Sequence, residues 1–220
     1  NMEGPILMGF CETDYETLRS HMHISFVAYD GYFEKEPQGG MVNLVIDHDD
    51  GGFQAGAYLR NLGHRRALCI ADNLICMDKE RIEGFRRAFA PGETRIWQIP
   101  ATRQQRTEFY ERRFQELAEQ QITAVFGVSD YYALDFMTFF QEKGLGVPQD
   151  IQIVGFDDTL ASRNSHPALT TIHQDPGLRA KTAIDCLEAL KQGRPCPGRI
   201  TLPVELMIRE STRSVSCPIL

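Results

Sequence analysis

The sequence predicts a parallel α/β fold, on three observations. Seven short apolar runs alternate with stretches of helical periodicity along the 220 residues. Several runs are apolar at successive positions, as strands are when helices cover both faces of their sheet. Polar residues, Asp above all, stand where several of the runs end.

The strands expected in order are PILMG (5–9), ISFVAY (24–29), VNLVI (42–46), ALCIA (67–71), RIWQI (95–99), ITAVFGV (122–128) and IQIVGF (151–156). Between the third and fourth, Ala55, Leu59 and Leu62 recur at helical spacing. Gly63 closes that helix, over 50–62, because glycine tolerates the positive φ of a C′ position. Ile82, Phe85 and Phe89 mark the next helix, with Asp78 as its expected N-cap. Tyr110, Phe114, Leu117 and Ala118 repeat the stripe. Ala133, Leu134 and Met137 mark a helix that Asp130 is expected to cap and Gly144 to end. The last helix has Asp175 as cap, Pro176 in its first turn, Ala180, Ile184 and Leu187 as its buried face, and Gly193-Arg194-Pro195 as its stop. The looser segments are 34–40 (EKEPQGG) and 215–220 (VSCPIL).

Composition removes several functions. Lys+Arg number 23 against 30 Asp+Glu, a net charge of −7, the wrong sign for a chain whose whole surface grips nucleic acid or anionic lipid. No apolar run approaches the about 18 residues of a membrane span. The start NMEGPILMGF lacks a secretory signal's basic flank and cleavage site, so a soluble, cytoplasmic protein is expected. The six cysteines, Cys11, Cys69, Cys76, Cys186, Cys196 and Cys217, show neither C-x-x-C nor metal-ligand spacing, which fits a reducing compartment. No metal and no cofactor is expected. G-x-S-x-G, a phosphate-binding P-loop, G-x-G-x-x-G after a strand and H-E-x-x-H are all absent, so no catalytic residue is assigned. His21 and His23 lack a third ligand, and Cys11 reads as a small buried hydrophobe.

What remains is a set of polar residues at strand ends: Asp30, Asp47, Ser129-Asp130 and Asp157-Asp158. Singly, each Asp is a turn former or helix cap. As a set they form the polar crevice that parallel sheets build outside the carboxyl ends of their strands. Carboxylates accept from paired hydroxyls and Arg81, in the turn D-K-E-R, donates in a fork. A sugar suits that combination better than a phosphate. An arginine in the first turn of a helix facing a wet crevice is expected to be partly solvated, so that its loss leaves the fold largely intact.

Five motifs occur in order: Leu62-Gly63-His64-Arg65-Arg66-Ala67; Glu80-Arg81-Ile82-Glu83-Gly84-Phe85; Lys143-Gly144 leading to Val147-Pro148-Gln149-Asp150-Ile151; Ile153-Val154-Gly155-Phe156-Asp157-Asp158; and Pro167-Ala168-Leu169-Thr170-Thr171-Ile172-His173-Gln174-Asp175. Together, over about residues 4–213, they resemble the effector-binding domain of lactose-repressor-type (LacI/GalR) transcription regulators. The resemblance implies a periplasmic-binding-protein-like fold of two α/β lobes joined by three crossings. It puts 1–46 and 174–196 in a first lobe, incomplete at its N-terminus, and 47–173 and 197–213 in a second, with the final strand TLPVELMI (201–208) in the second and 214–220 as a tail. A helix-turn-helix head, a hinge helix and the first βαβ portion would lie outside this chain.

The same resemblance implies that Arg81 and Asp157 contact the effector, with Asp30 as an acidic residue across the cleft and Gln174 at a crossing beside it. Ser129 stands where the family usually has Asn in N-D-x-x-A. The aromatic that sugar-binding members place after strand 95–99 is replaced by Pro100-Ala101-Thr102-Arg103, leaving Tyr131 or Tyr132 to stack. Arg65 and Arg66 read as surface cover, Gly84 as a close helix contact, and His64 as a structural hydrogen-bonding residue. The implied function is ligand sensing in a homodimeric regulator that meets operator DNA only through the absent head, with a small carbohydrate effector, no membrane partner and no enzymatic role. A solute-binding protein of a sugar transporter is the alternative, disfavoured by the missing signal. Glycoside hydrolysis by Asp157-Asp158 needs carboxyls about 5–10 Å apart with opposed pKa values, which adjacent residues on one turn do not supply.

Overall fold

The computed structural model describes residues 4–8, 25–31, 33 and 40–213. His21, His23, Cys11, Cys217, residues 34–39 and the tail 214–220 lie outside the described residues. The chain divides into two compact units, 1–47 with 175–203 and 48–174 with 204–220, and passes between them three times.

The first unit contains a parallel sheet of β1 (Ile6–Met8), β2 (Phe26–Tyr29), β3 (Met41–Ile46) and β9 (Arg199–Leu202), in that order. All six residues of β3 are buried, as an interior parallel strand requires. Its one polar member, Asn43, is satisfied by the backbone of Gly31, receiving the Gly31 N–H at 3.0 Å and donating to its carbonyl at 2.7 Å. Helix α6 (Pro176–Lys191) packs on β2 and β3. Asp175 caps it, accepting from the Leu178 N–H at 2.9 Å, and Pro176 stands in its first turn. Its buried face is Ala183 and Cys186, whereas the expected Ala180 and Ile184 are exposed.

The second unit is a six-stranded sheet, β10-β8-β7-β6-β4-β5, built from β4 (Arg66–Ala71), β5 (Glu93–Gln98), β6 (Ala124–Gly127), β7 (Gln152–Asp157), β8 (Thr170–Gln174) and β10 (Val204–Met207). All pairs are parallel except β10 with β8. Its helices are α1 (His48–Asn61), α2 (Cys76–Phe89), α3 (Arg103–Glu119), α4 (Asp130–Glu142) and α5 (Leu160–Asn164). Leu68, Ile70, Trp97, Tyr110, Phe136, Phe139, Phe140 and Ile153 belong to one core cluster. Elsewhere Phe85 stacks on Phe126 and Phe89, with ring centroids 5.0 and 5.3 Å apart.

The parallel α/β class is as the sequence predicts, with local corrections. The expected strand 201–208 is two strands. Pro203 between them has no N–H for a ladder, so β9 ends in the first sheet and β10 starts antiparallel to β8 in the second. Residues 197–203 therefore lie in the first unit, because β9 pairs with β3. Strand β8 joins the sheet beside β7 and was not among the seven apolar runs. Helix α2 begins at Cys76, with Asp78 inside its first turn instead of capping it. Ser129, not Asp130, caps α4 by accepting from the Tyr132 N–H at 3.4 Å. Gly63, Gly144 and Gly193 end their helices at φ of 95°, 77° and 66°.

Helices α1 and α2 make the tightest contact in this unit. A Cβ on Gly84 would lie 2.0 Å from the Asp49 carbonyl oxygen, and one on Gly56 would lie 2.4 Å from that of Phe85. Alanine in a helix gains about 1 kcal/mol over glycine, but overpacking against backbone costs about 1–3 kcal/mol or more, so the clash wins. Gly84→Ala is therefore expected to lower the Tm; a rise, as helix propensity alone demands, would show that the two backbones are not in contact.

Candidate functional site

Sheet order sets the carboxyl ends of β8, β7, β6 and β4 side by side, carrying Gln174, Asp157, Val128-Ser129 and Asp72 in succession. Asp157 and Asp158 are consecutive residues with positive φ, 117° and 53°. Each costs about 1–3 kcal/mol for a residue with a Cβ, a cost that clusters at functional sites. The kink turns the two carboxylates to different surroundings. Asp157, with its side chain 28% exposed, accepts from Gln174 Nε2 at 2.6 Å and stands 3.7 Å from Arg81 Nη1. Asp158 is almost fully buried among Arg163, Arg209 and His173, at 2.7, 2.5 and 2.8 Å. Desolvation opposes its charge, yet Arg163 and Arg209 hold its carboxyl below the usual range. Asp158 is a structural anchor.

Arg81, in α2, is buried at 7% exposure. Its guanidinium lies 3.8 Å from the centre of the Phe156 ring, donates from Nε to His48 Nδ1 at 3.1 Å and from Nη1 to the Val128 carbonyl at 2.5 Å. Accepting at Nδ1 fixes neutral His48 as the Nε2–H tautomer. The expectation of a partly solvated arginine is overturned, because helix α1, the β6 end and β7 all close around it.

Two acids complete the cluster. Asp78 adjoins Asp72, which takes Asn73 Nδ2 at 3.0 Å. Burial, reinforced by Asp72, pushes the Asp78 carboxyl up to about 6. Burial likewise pushes Asp157 up to about 6, against the pull of Arg81. Asp72 follows the apolar run ALCIA, so the rule that selected the other strand-end residues would have found it; His48 carries no such local signal. Asp130 is fully buried and turned inward, accepting from the Thr159 N–H at 2.8 Å and from Thr171 Oγ1 at 2.5 Å.

Asp157 thus contacts both Arg81 and Gln174, and Ser129 adjoins the Val128 carbonyl that Arg81 holds. Tyr131 is 60% exposed, and its hydroxyl accepts from the buried Arg106 at 2.9 Å. Asp30 belongs to the first unit, where Arg179 Nη2 donates to it at 2.5 Å.

Arg81→Ala is expected to lower stability by about 2 kcal/mol or more, since it strands buried partners and empties the space over Phe156. Chemical denaturation checks this; a loss under about 1 kcal/mol would restore the solvated reading. Asp157 has a folded pKa above its unfolded one, so the folded state binds its proton more tightly and this group's contribution to stability falls as pH rises from about 4 to 6. Asp157→Asn should therefore be more stable than the parent at pH 7, with the gap closing towards pH 4. A gap that widens on acidification would reverse the assignment.

The comparisons with known proteins agree with this architecture. Residues 57–212 match the family model described as a periplasmic binding protein-like domain. The HTH-type transcriptional repressor PurR of Glaesserella parasuis is 35% identical over 193 residues, covering 82% of this chain and 56% of that protein. PurR of Vibrio parahaemolyticus is 30% identical over 188 residues, with the same coverage. This chain spans about half the length of the curated relatives it matches. Among solved structures, the lactose repressor bound to the anti-inducer ONPF superposes with a TM-score of 0.80 at 26% identity, covering 96% of this chain and 78% of that one. The regulator CelR in complex with cellobiose also reaches 0.80, at 24% identity, covering 95% and 65%, and attests the fold. Family model, relatives and fold coincide, and the chain belongs to the periplasmic-binding-protein-like effector-binding domains of LacI-type transcription regulators.

Proposed function

We propose that this chain senses a small polar effector, a sugar or sugar derivative, at the carboxyl edge of β4, β6, β7 and β8. A DNA-binding segment of the same regulator, outside this chain, would read operator DNA in response, in a cytoplasmic homodimer. The observation that carries the reading is the meeting of Arg81, Asp157 and Gln174 at one sheet edge, with Asp72 and Asp78 adjoining through the first turn of α2. A polyol donates hydroxyl protons to carboxylates and accepts from an amide, and each such bond to a charged group is worth about 1.5–3 kcal/mol. Ser129, at the N-cap of α4, would add a hydroxyl contact, and Tyr131, in its first turn, a stacking face. The relatives are repressors, which favours this reading over a transporter's solute-binding protein.

An effector resets such a regulator only through a difference in affinity between two conformations. Binding is therefore the property to measure. Sugars, sugar phosphates and nucleobases are screened by thermal shift, where a ligand at 100 times its Kd adds about 2.7 kcal/mol. A sugar is expected to raise the Tm, and Gln174→Ala to weaken that sugar about ten- to hundredfold by titration while keeping the parental fold. A response to nucleobases alone would overturn the ligand class, and a sugar bound equally well by the variant would overturn the site.

A further inference from the structure

Among the described residues, Cys186 and Cys196 are neighbours remote in role from the candidate site; Cys69 and Cys76 belong to the other unit. Cys186 sits on the buried face of α6, and Cys196 lies between Pro195 and Pro197 on the irregular backbone that leads from α6 into β9. The Cys196 thiol donates to the Cys186 carbonyl at 3.8 Å, which sets the two cysteines side by side. Cys196 is partly exposed, whereas Cys186 is 5% exposed. A disulfide needs its sulfurs about 2.05 Å apart, and Cys196, the partner outside the helix, is the one that has to move to close it.

We propose that Cys186 and Cys196 are an oxidation site, forming an intramolecular disulfide when the protein meets a hydroperoxide. The partly exposed Cys196, as thiolate, attacks the peroxide O–O bond, giving Cys196–SOH and, with the thiol's proton, the alcohol, or water from hydrogen peroxide; sulfur is oxidised and the peroxide reduced. The Cys186 sulfur then attacks the sulfenic sulfur, an S–S bond forms as the S–O bond breaks, and the hydroxyl leaves as water with the Cys186 proton. Burial holds the Cys186 thiol above its ordinary value, which leaves the first attack on peroxide to Cys196. The bond ties the last turns of α6 to the lead of β9, which pairs with β3 from Asn43↔Arg199 to Ile46↔Leu202. It therefore braces the strand pair whose ends run into two of the three passages between units. A pair closed this way is a reversible device, since a thiol reductant reopens it.

The test treats the intact protein with hydrogen peroxide, blocks free thiols and digests with trypsin. Cleavage after Lys181, Lys191 and Arg199, with Arg194-Pro195 resisting, separates TAIDCLEALK (182–191) from QGRPCPGR (192–199). The expected product is these two peptides joined, two hydrogens lighter than their sum, and separated again by dithiothreitol. In Cys186→Ser, shown folded by circular dichroism, Cys196 is expected to stop at the sulfenic acid and be trapped by dimedone; in Cys196→Ser, Cys186 is expected to stay unmodified. The proposal is overturned if Cys196 proceeds to the sulfinic acid while Cys186 remains free in the parent. It is equally overturned if either cysteine pairs elsewhere, or if both thiols survive peroxide that oxidises a control thiol.

Discussion

Four pieces of the second unit meet on the Arg81 guanidinium: helix α2 that carries it, His48 at the start of α1, the Val128 carbonyl after β6, and Phe156 with Asp157 at the end of β7. That meeting depends on glycine. A Cβ on Gly52 would lie 1.9 Å from the Arg81 carbonyl oxygen, so α1 reaches α2 at this height only without a side chain there. Gly51 does the same towards the sheet, where a Cβ would fall 2.5 Å from the Phe156 ring. The arginine is thus both a packing element and the positive centre of the strand-end cluster. Because it is buried, its geometry is set by the fold, which in the proposed site would lower the ordering cost of binding.

Around that centre, identical side chains are driven to opposite electrostatic states. Asp157 and Asp158 are adjacent, yet burial raises the first while two arginines lower the second. One arginine at 3.7 Å does not offset desolvation at Asp157, whereas Arg163 and Arg209, both within 2.7 Å, do so at Asp158. Asp130, fully buried, is raised by desolvation like Asp157, against hydroxyl and amide donors from Thr171 and Thr159 that tie α4 to β8 and to the start of α5.

The first unit repeats the device in its own terms. Asp30 follows β2 with φ of 49°, accepts from the Ile46 N–H at 3.3 Å, and is held by Arg179, whose guanidinium lies 4.2 Å from the Tyr29 ring centre. An aspartate in a left-handed turn after a parallel strand, fixed by an arginine stacked on an aromatic ring, therefore occurs in each unit. Both are preorganised polar groups at the carboxyl edge of a sheet, where such folds bind their ligands.

The sequence by itself determined the class and most elements, because apolar runs, helical stripes and terminal glycines are local signals that backbone geometry turns directly into strands and helices. It also marked Arg81, Asp157 and Gln174, since polar residues at strand ends stand out against apolar runs and sit within motifs read in order. What it could not fix were partners distant along the chain. Whether Asp130 caps its helix or faces inward depends on Thr159 and Thr171, and whether Arg81 is wet or buried depends on His48 and Phe156. The split of 201–208 at Pro203 rests on which sheet offers an open edge to each half. Burial and charge pairing are properties of the packed surroundings, and those are assembled only when the strands take their order in the sheet.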